Sequence, residues 1–136
     1  MIIRRHVLVI EDRKVHSVLI KMALRRLDEW LEVRWVRDVV EAREALEAEP
    51  GTDLILYSTG EDGPQIRRGV RTLLGSSKER PIVAVVCDLL SQDLRTALED
   101  QPVTTLEHPL KAGDLGALLH AAAVAHLPLI RGEVRR

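Results

Sequence analysis

The sequence has no phenylalanine, one tyrosine, two tryptophans and one cysteine. A core must therefore be built from Leu, Val, Ile and Ala, and an internal disulfide is excluded. Cys87 stands in an apolar run and reads as a buried thiol in a reducing compartment. No apolar run approaches the about 20 residues that cross a bilayer, and Met1-Ile2-Ile3 is cut off by Arg4-Arg5 too early to serve as a signal peptide. No membrane association and a cytoplasmic location are the expectations. Charge of one sign is also scarce: 20 basic against 21 acidic side chains leave a formal net charge of -1. That balance argues against a nucleic-acid footprint. The basic clusters Arg4-Arg5, Arg25-Arg26, Arg67-Arg68 and Arg131 to Arg136 read as solvated surface.

What is present fits one soluble domain: 136 residues, of which 46% are hydrophobic and 30% charged, enough for one core and no more. Short β-branched runs recur at residues 6–10, 31–36, 53–57, 81–87 and 103–106. Between them the apolar residues return at helical spacing, which predicts helices over 14–28, 39–48, 64–74, 91–100 and 112–126. The first is marked by Val15, Val18, Leu19, Met22, Leu24 and Leu27. The fourth carries Ser91 as N-cap before Leu94, Ala97 and Leu98. Continuous apolar strands such as Ile82-Val83-Ala84-Val85-Val86 need both faces covered, as helices on either side of a parallel sheet do. The fold class is therefore α/β, a doubly wound five-stranded parallel sheet of flavodoxin-like (βα)5 type in order 2-1-3-4-5. Residues 1–127 form the domain and 128–136 a short basic tail.

In such a sheet chemistry collects beyond the carboxyl ends of the strands. Those ends carry Glu11-Asp12, Ser58, Val86-Cys87 and His108-Pro109. Ser58, His108 and Asp12 compose a nucleophile, a base and an orienter of the kind a small hydrolase uses. The sharp turn that presents such a serine needs Gly-x-Ser-x-Gly, and Leu56 occupies the first glycine position. Glu11-Asp12 after the first strand would repel a pyrophosphate, which excludes a nucleotide loop there.

The acidic pair Glu11-Asp12, the run Asp53-Leu54-Ile55-Leu56, the strand Pro81 to Val86 and the dipeptide ending in Pro109 fall, in order and spacing, where response regulator receiver domains have their landmarks. The chain resembles that family over nearly its whole length. The resemblance implies a pocket of Glu11, Asp12, Ser58, Val86 and His108, in which the family's phosphate-accepting aspartate is replaced by Ser58, its hydroxyl residue by Val86 and its lysine by His108. The loop from Thr59 to Pro64 is shorter than the family's, and Thr105 stands where an aromatic residue follows the switch. A serine is not ionised near neutral pH and is a poor trap for a phosphoryl group. With one carboxylate gone, Glu11 and Asp12 hold magnesium weakly, if at all, and no other cofactor is expected. The resemblance then implies a pseudo-receiver of two-component phosphorelay signalling: not an enzyme, working by protein-protein contact with a histidine kinase or a downstream effector. An alternative of the same class uses Asp62 or Glu61 of the shortened loop, with a cation, as displaced acceptor.

Two further expectations concern His108 and the last helix. An ion pair of His108 with Glu11 and Asp12 would raise its pKa above the usual ~6.5. From Leu115 to Leu127 the chain is apolar over more than the stripe a surface helix needs. Ala117, Ala121 and Val124 fall opposite Leu115, Leu118, Leu119 and Ala122 and offer a homodimer interface.

Overall fold

The computed structural model describes residues 5–27, 30–77 and 81–125, with side chains to Ala122. The expected tail 128–136 and its basic cluster lie outside the described residues. In chain order the elements are β1 (Arg5–Ile10), α1 (Lys14–Arg25), β2 (Leu31–Val36), α2 (Val39–Ala48), β3 (Leu54–Ser58), α3 (Gly63–Ser76), β4 (Ile82–Cys87), α4 (Gln92–Leu98), β5 (Thr104–Glu107) and α5 (Ala112–Ala125). The five strands form one sheet in the order β2-β1-β3-β4-β5, every pair parallel. This is the expected doubly wound topology.

Helix starts follow local chemistry. Asp38 caps α2 through Glu41 N–H, and Ser91 caps α4 through Leu94 N–H at 3.2 Å, each satisfying an otherwise orphaned donor. Asp62 and Gln65 form a reciprocal capping box at α3, with Pro64 in its first turn, so this helix begins before the expected residue 64.

The sheet divides the core in two because side chains alternate along each strand. Leu8, Ile10, Ile55, Tyr57, Val83 and Val85 meet α2, α3 and α4 on one face. Val7, Val9, Leu54, Leu56, Ala84 and Val86 meet α1 and α5 on the other. All five residues of β3 are buried, as a central strand covered on both faces must be.

The α1 stripe turns out differently from the expectation. The residues of α1 that bury are Ile20, Ala23 and Leu24. Val15 (68%), Val18 (51%), Leu19 (37%) and Met22 (47%) remain exposed. The helix carries two apolar stripes, and only the one aimed at the sheet finds a partner within the domain.

The one tyrosine fixes the fit of α3 to the sheet. A Cβ at Gly69 would come within 2.5 Å of the Tyr57 hydroxyl and 2.8 Å of its ring, so the helix lies on the sheet only because that position has no side chain. Gly69→Ala is expected to destabilise the fold by about 1–3 kcal/mol through overpacking. Gly75→Ala, with open space around the position, is expected to gain up to about 1 kcal/mol of helix propensity. Urea unfolding of both variants checks the pair, and a neutral Gly69→Ala would contradict the packing argument.

Candidate functional site

The carboxyl edge of the sheet brings five charged or polar groups together. Glu11 follows β1 directly and is 5% exposed, its N–H donating to Val36 O at 3.0 Å. Ser58 ends β3 and is 2% exposed. His108 follows β5, held by its backbone N–H on Cys87 O at 3.0 Å. Arg13, at the N-cap of α1, and Asp88, just after β4, complete the group.

Glu11 is a carboxylate taken out of water, and its partners explain the arrangement. Arg13 Nε donates to both of its oxygens, at 3.2 and 3.3 Å, and Arg13 Nη2 lies 3.1 Å from Oε1 without hydrogen-bond geometry. The same guanidinium donates through Nη1 to Asp88 Oδ2 at 2.6 Å, and this bond holds the Asp88 carboxyl below the usual carboxylate range. Ser58 Oγ donates to Glu11 Oε1 at 3.1 Å and lies 2.8 Å from His108 Nε2.

Two contacts at Ser58 require two protons. The hydroxyl has one to give and an ionised carboxylate has none. If Ser58 donates to Glu11, then His108 must donate its Nε2–H to Ser58, which fixes the neutral tautomer with a lone pair on Nδ1. That Nδ1 is buried and has no hydrogen-bond partner among the described residues. The relay runs from His108 to Ser58 to Glu11, the reverse of the proton path that activates a serine nucleophile.

This geometry tests the sequence expectations residue by residue. The structure brings Glu11, Ser58 and His108 together. Asp12 is exposed and lines a cleft of about 460 Å³ with Ser58 and Glu61; among the described residues it makes no hydrogen bond to His108. Val86 is fully buried and contributes only its carbonyl, which accepts from Thr59 N–H at 3.2 Å. Asp62 is spent as the cap of α3. Glu61 accepts from the Tyr57 hydroxyl and from Thr59 Oγ1, each at 3.1 Å. Ala117 and Ala121 are exposed on α5, while the side chain of Val124 lies outside the described residues. Magnesium, which the receiver fold implies, does not fit these residues. The buried Glu11 already faces a guanidinium, Ser58 stands where a third carboxylate would be needed, and Asp12 is left alone where near-octahedral oxygen ligation is required.

Arg13, His16 and Asp88 did not emerge from the sequence. His16 Nε2 lies 3.2 Å from Asp88 Oδ1, and its ring meets that of His108 edge to face with centroids 4.7 Å apart. The available signal was positional. Arg13 and His16 are three apart at the start of a helix that opens onto the strand ends, and Asp88 follows the fourth strand.

The expected ion pair of His108 with Glu11 and Asp12 does not form, and the direction of its pKa is the opposite of that expected. Burial of the ring lowers it, with the charges of His16 and Arg13 adding to that effect and Asp88 opposing it. With the folded pKa below the unfolded value, the unfolded chain takes up a proton that the folded chain refuses. Stability is then full above about pH 6.5 and falls as the pH drops below it. Urea unfolding in EDTA between pH 7.5 and 5.5 should show this loss, and His108→Gln should flatten it. A ring titration by nuclear magnetic resonance above the usual histidine value would overturn the assignment.

No protein-family profile matches the sequence, and no curated protein matches it. Solved structures do match in fold. A response regulator from Thermotoga maritima superposes with a TM-score of 0.73 at 19% identity, covering 87% of this chain and 99% of that one. A two-component response regulator from Legionella pneumophila gives 0.70 at 16% identity, over 88% and 98%. The pilus assembly protein CpaE from Caulobacter crescentus gives 0.69 at 18% identity, over 88% and 94%. With the five parallel strands in order 2-1-3-4-5 and the strand-end site, the fold of this chain is that of the response regulator receiver domains.

Proposed function

We propose that the chain is a pseudo-receiver: a module of two-component signalling that is not switched by aspartyl phosphorylation and acts by contact with a histidine kinase or a downstream effector in the cytoplasm. The observation that carries this reading is the Arg13 guanidinium on Glu11, with Ser58 bonded beneath it. A positive charge already compensates the acidic residue that would hold magnesium, and no carboxylate is present at position 58 to accept phosphate. The reading needs no cofactor at the magnesium position. An enzyme is disfavoured because Ser58 is buried, its proton is directed to Glu11, and no group orients Nδ1 of His108.

The surface supports contact as the mode of action. Among the described residues no helix is long and apolar enough to cross a membrane. The exposed stripe Val15, Val18, Leu19 and Met22 of α1 is proposed as a protein-contact surface. It continues to Trp35, which is 37% exposed, along a cleft lined by Val18, Lys21 and Trp35. Burying a Val, Leu or Met side chain contributes about 1.5–3 kcal/mol and an alanine far less. The homodimer expected at Ala117, Ala121 and Val124 of α5 stays a proposal, and the exposed Val, Leu and Met side chains of α1 are proposed as the stronger candidate for the contact.

Two outcomes are expected. Incubation with acetyl phosphate and magnesium should leave the intact mass without a phosphate adduct. Ser58→Asp alone should label at least about tenfold less than the combination with Val86→Thr, His108→Lys and Arg13→Ala, since charge on the transferring group still lacks its partners. Labelling of the unchanged chain would end the reading. In light scattering, a dimer should form that Met22→Glu dissociates and Ala121→Glu does not. The reverse pattern would return the contact to α5, and a monomer at high concentration would remove self-association.

A further inference from the structure

The His108 nitrogen left without a partner points to a ligand. One ligand atom from each of His16, Asp88 and His108 lies within 4.8 Å of the other two. A tetrahedral zinc ion with bonds of about 2.0–2.1 Å sets neighbouring ligand atoms about 3.3 Å apart. The separation of His16 Nε2 from Asp88 Oδ1, 3.2 Å, already meets that spacing, and the remaining separations, at most 4.8 Å, shorten on binding.

The surroundings prepare each group for this role. His108 donates Nε2–H to Ser58, which is braced by Glu11, so the lone pair falls on Nδ1, a buried atom with no other bond to make. A ring nitrogen that donates to a carboxylate, directly or through a hydroxyl, is the usual support of a metal-binding histidine. Arg13 takes Asp88 Oδ2 and leaves Oδ1 toward His16. Two carboxylates, Glu11 and Asp88, face one guanidinium, which leaves one negative charge uncompensated before a cation arrives.

We propose that His16 Nε2, Asp88 Oδ1 and His108 Nδ1 bind one borderline divalent transition-metal ion of the zinc class, with water in the fourth position. Two imidazoles and one carboxylate favour such an ion over magnesium, which prefers oxygen throughout. The site is distinct from the acidic pair Glu11-Asp12. It joins α1, the turn after β4 and the turn after β5, segments that already meet through the Arg13–Asp88 bond and the His16–His108 ring contact. A cation that binds the folded chain alone raises its apparent stability.

The test uses the untagged full chain. Zinc titration by calorimetry should give one saturable site, and cobalt should give the visible spectrum of a tetrahedral ion with nitrogen and oxygen ligands. His16→Ala and His108→Ala should each lower zinc affinity by at least tenfold and abolish the cobalt spectrum. Ser58→Ala, which removes the support of His108, should lower it about 10–100-fold. His120→Ala, on the exposed side of α5, should change nothing. His16 sits on the surface of α1 with a side chain 27% exposed, so its variant remains readable if the His108 variants fail to fold. The proposal is overturned by an absence of saturable zinc binding, by magnesium binding as tightly as zinc, by affinity retained in His16→Ala, or by a thiolate charge-transfer band that would place Cys87 in the ligand set.

Discussion

The site is organised by the cost of burying Glu11. An ionised carboxylate removed from water is strongly unfavourable unless it is paired and hydrogen-bonded. The fold buries the Glu11 side chain directly after a strand whose last four residues are all buried. Arg13 supplies the opposite charge from the first residues beyond the strand, and Ser58 supplies a proton from the neighbouring strand. Everything else at this edge follows from those two responses. The arginine, drawn to Glu11, has a second arm free for Asp88. The serine, committed to Glu11, can only accept from His108.

The same constraint separates what was legible in the sequence from what was not. The five strands and five helices could be read because each is written twice, in residue type and in periodicity. The uninterrupted apolar run from Ile82 to Val86 and the cap at Ser91 leave little choice of element or boundary. The positions Glu11, Ser58, Val86 and His108 could be placed because strand ends in this topology converge. The partners of those residues could not. A guanidinium on a flexible stem reaches a carboxylate two residues away and another in a distant loop, and nothing in a one-dimensional pattern selects those two from the many acidic groups present. The direction of the His108 shift is equally illegible in one dimension: burial of the ring sets it, and the nearest polar neighbour is a hydroxyl with the carboxylate one bond further on.

The first helix shows a different limit. Val15, Val18, Leu19 and Met22 share one face at helical spacing, as do Ile20, Ala23, Leu24 and Leu27 on another. Periodicity identifies a helix from either set and cannot say which set meets the sheet. The structure resolves the choice by geometry, since small Ala23 lets α1 approach closely on the side that faces Val7 and Val9. The surplus apolar face is then a property of the surface, where apolar side chains contiguous over two turns signal contact with another molecule.

The replacements at Ser58 and His108 belong together. A lysine in place of His108 would bring a permanent charge and three donors but no acceptor. Ser58 would then still be satisfied, while the lone pair now on Nδ1 would be lost. An aspartate in place of Ser58 would set a second carboxylate beside Glu11, with one guanidinium between the two, and the proton that now links Ser58 to Glu11 would vanish. The aspartate exchange alone leaves the buried Glu11 short of a proton and of charge compensation, whereas the lysine exchange removes only the acceptor on Nδ1. The guanidinium at position 13 is what compensates the buried Glu11 that Ser58 and His108 are linked to. In that arrangement His108 is held neutral by burial and by its place in the relay, which is the state in which an imidazole can offer a lone pair.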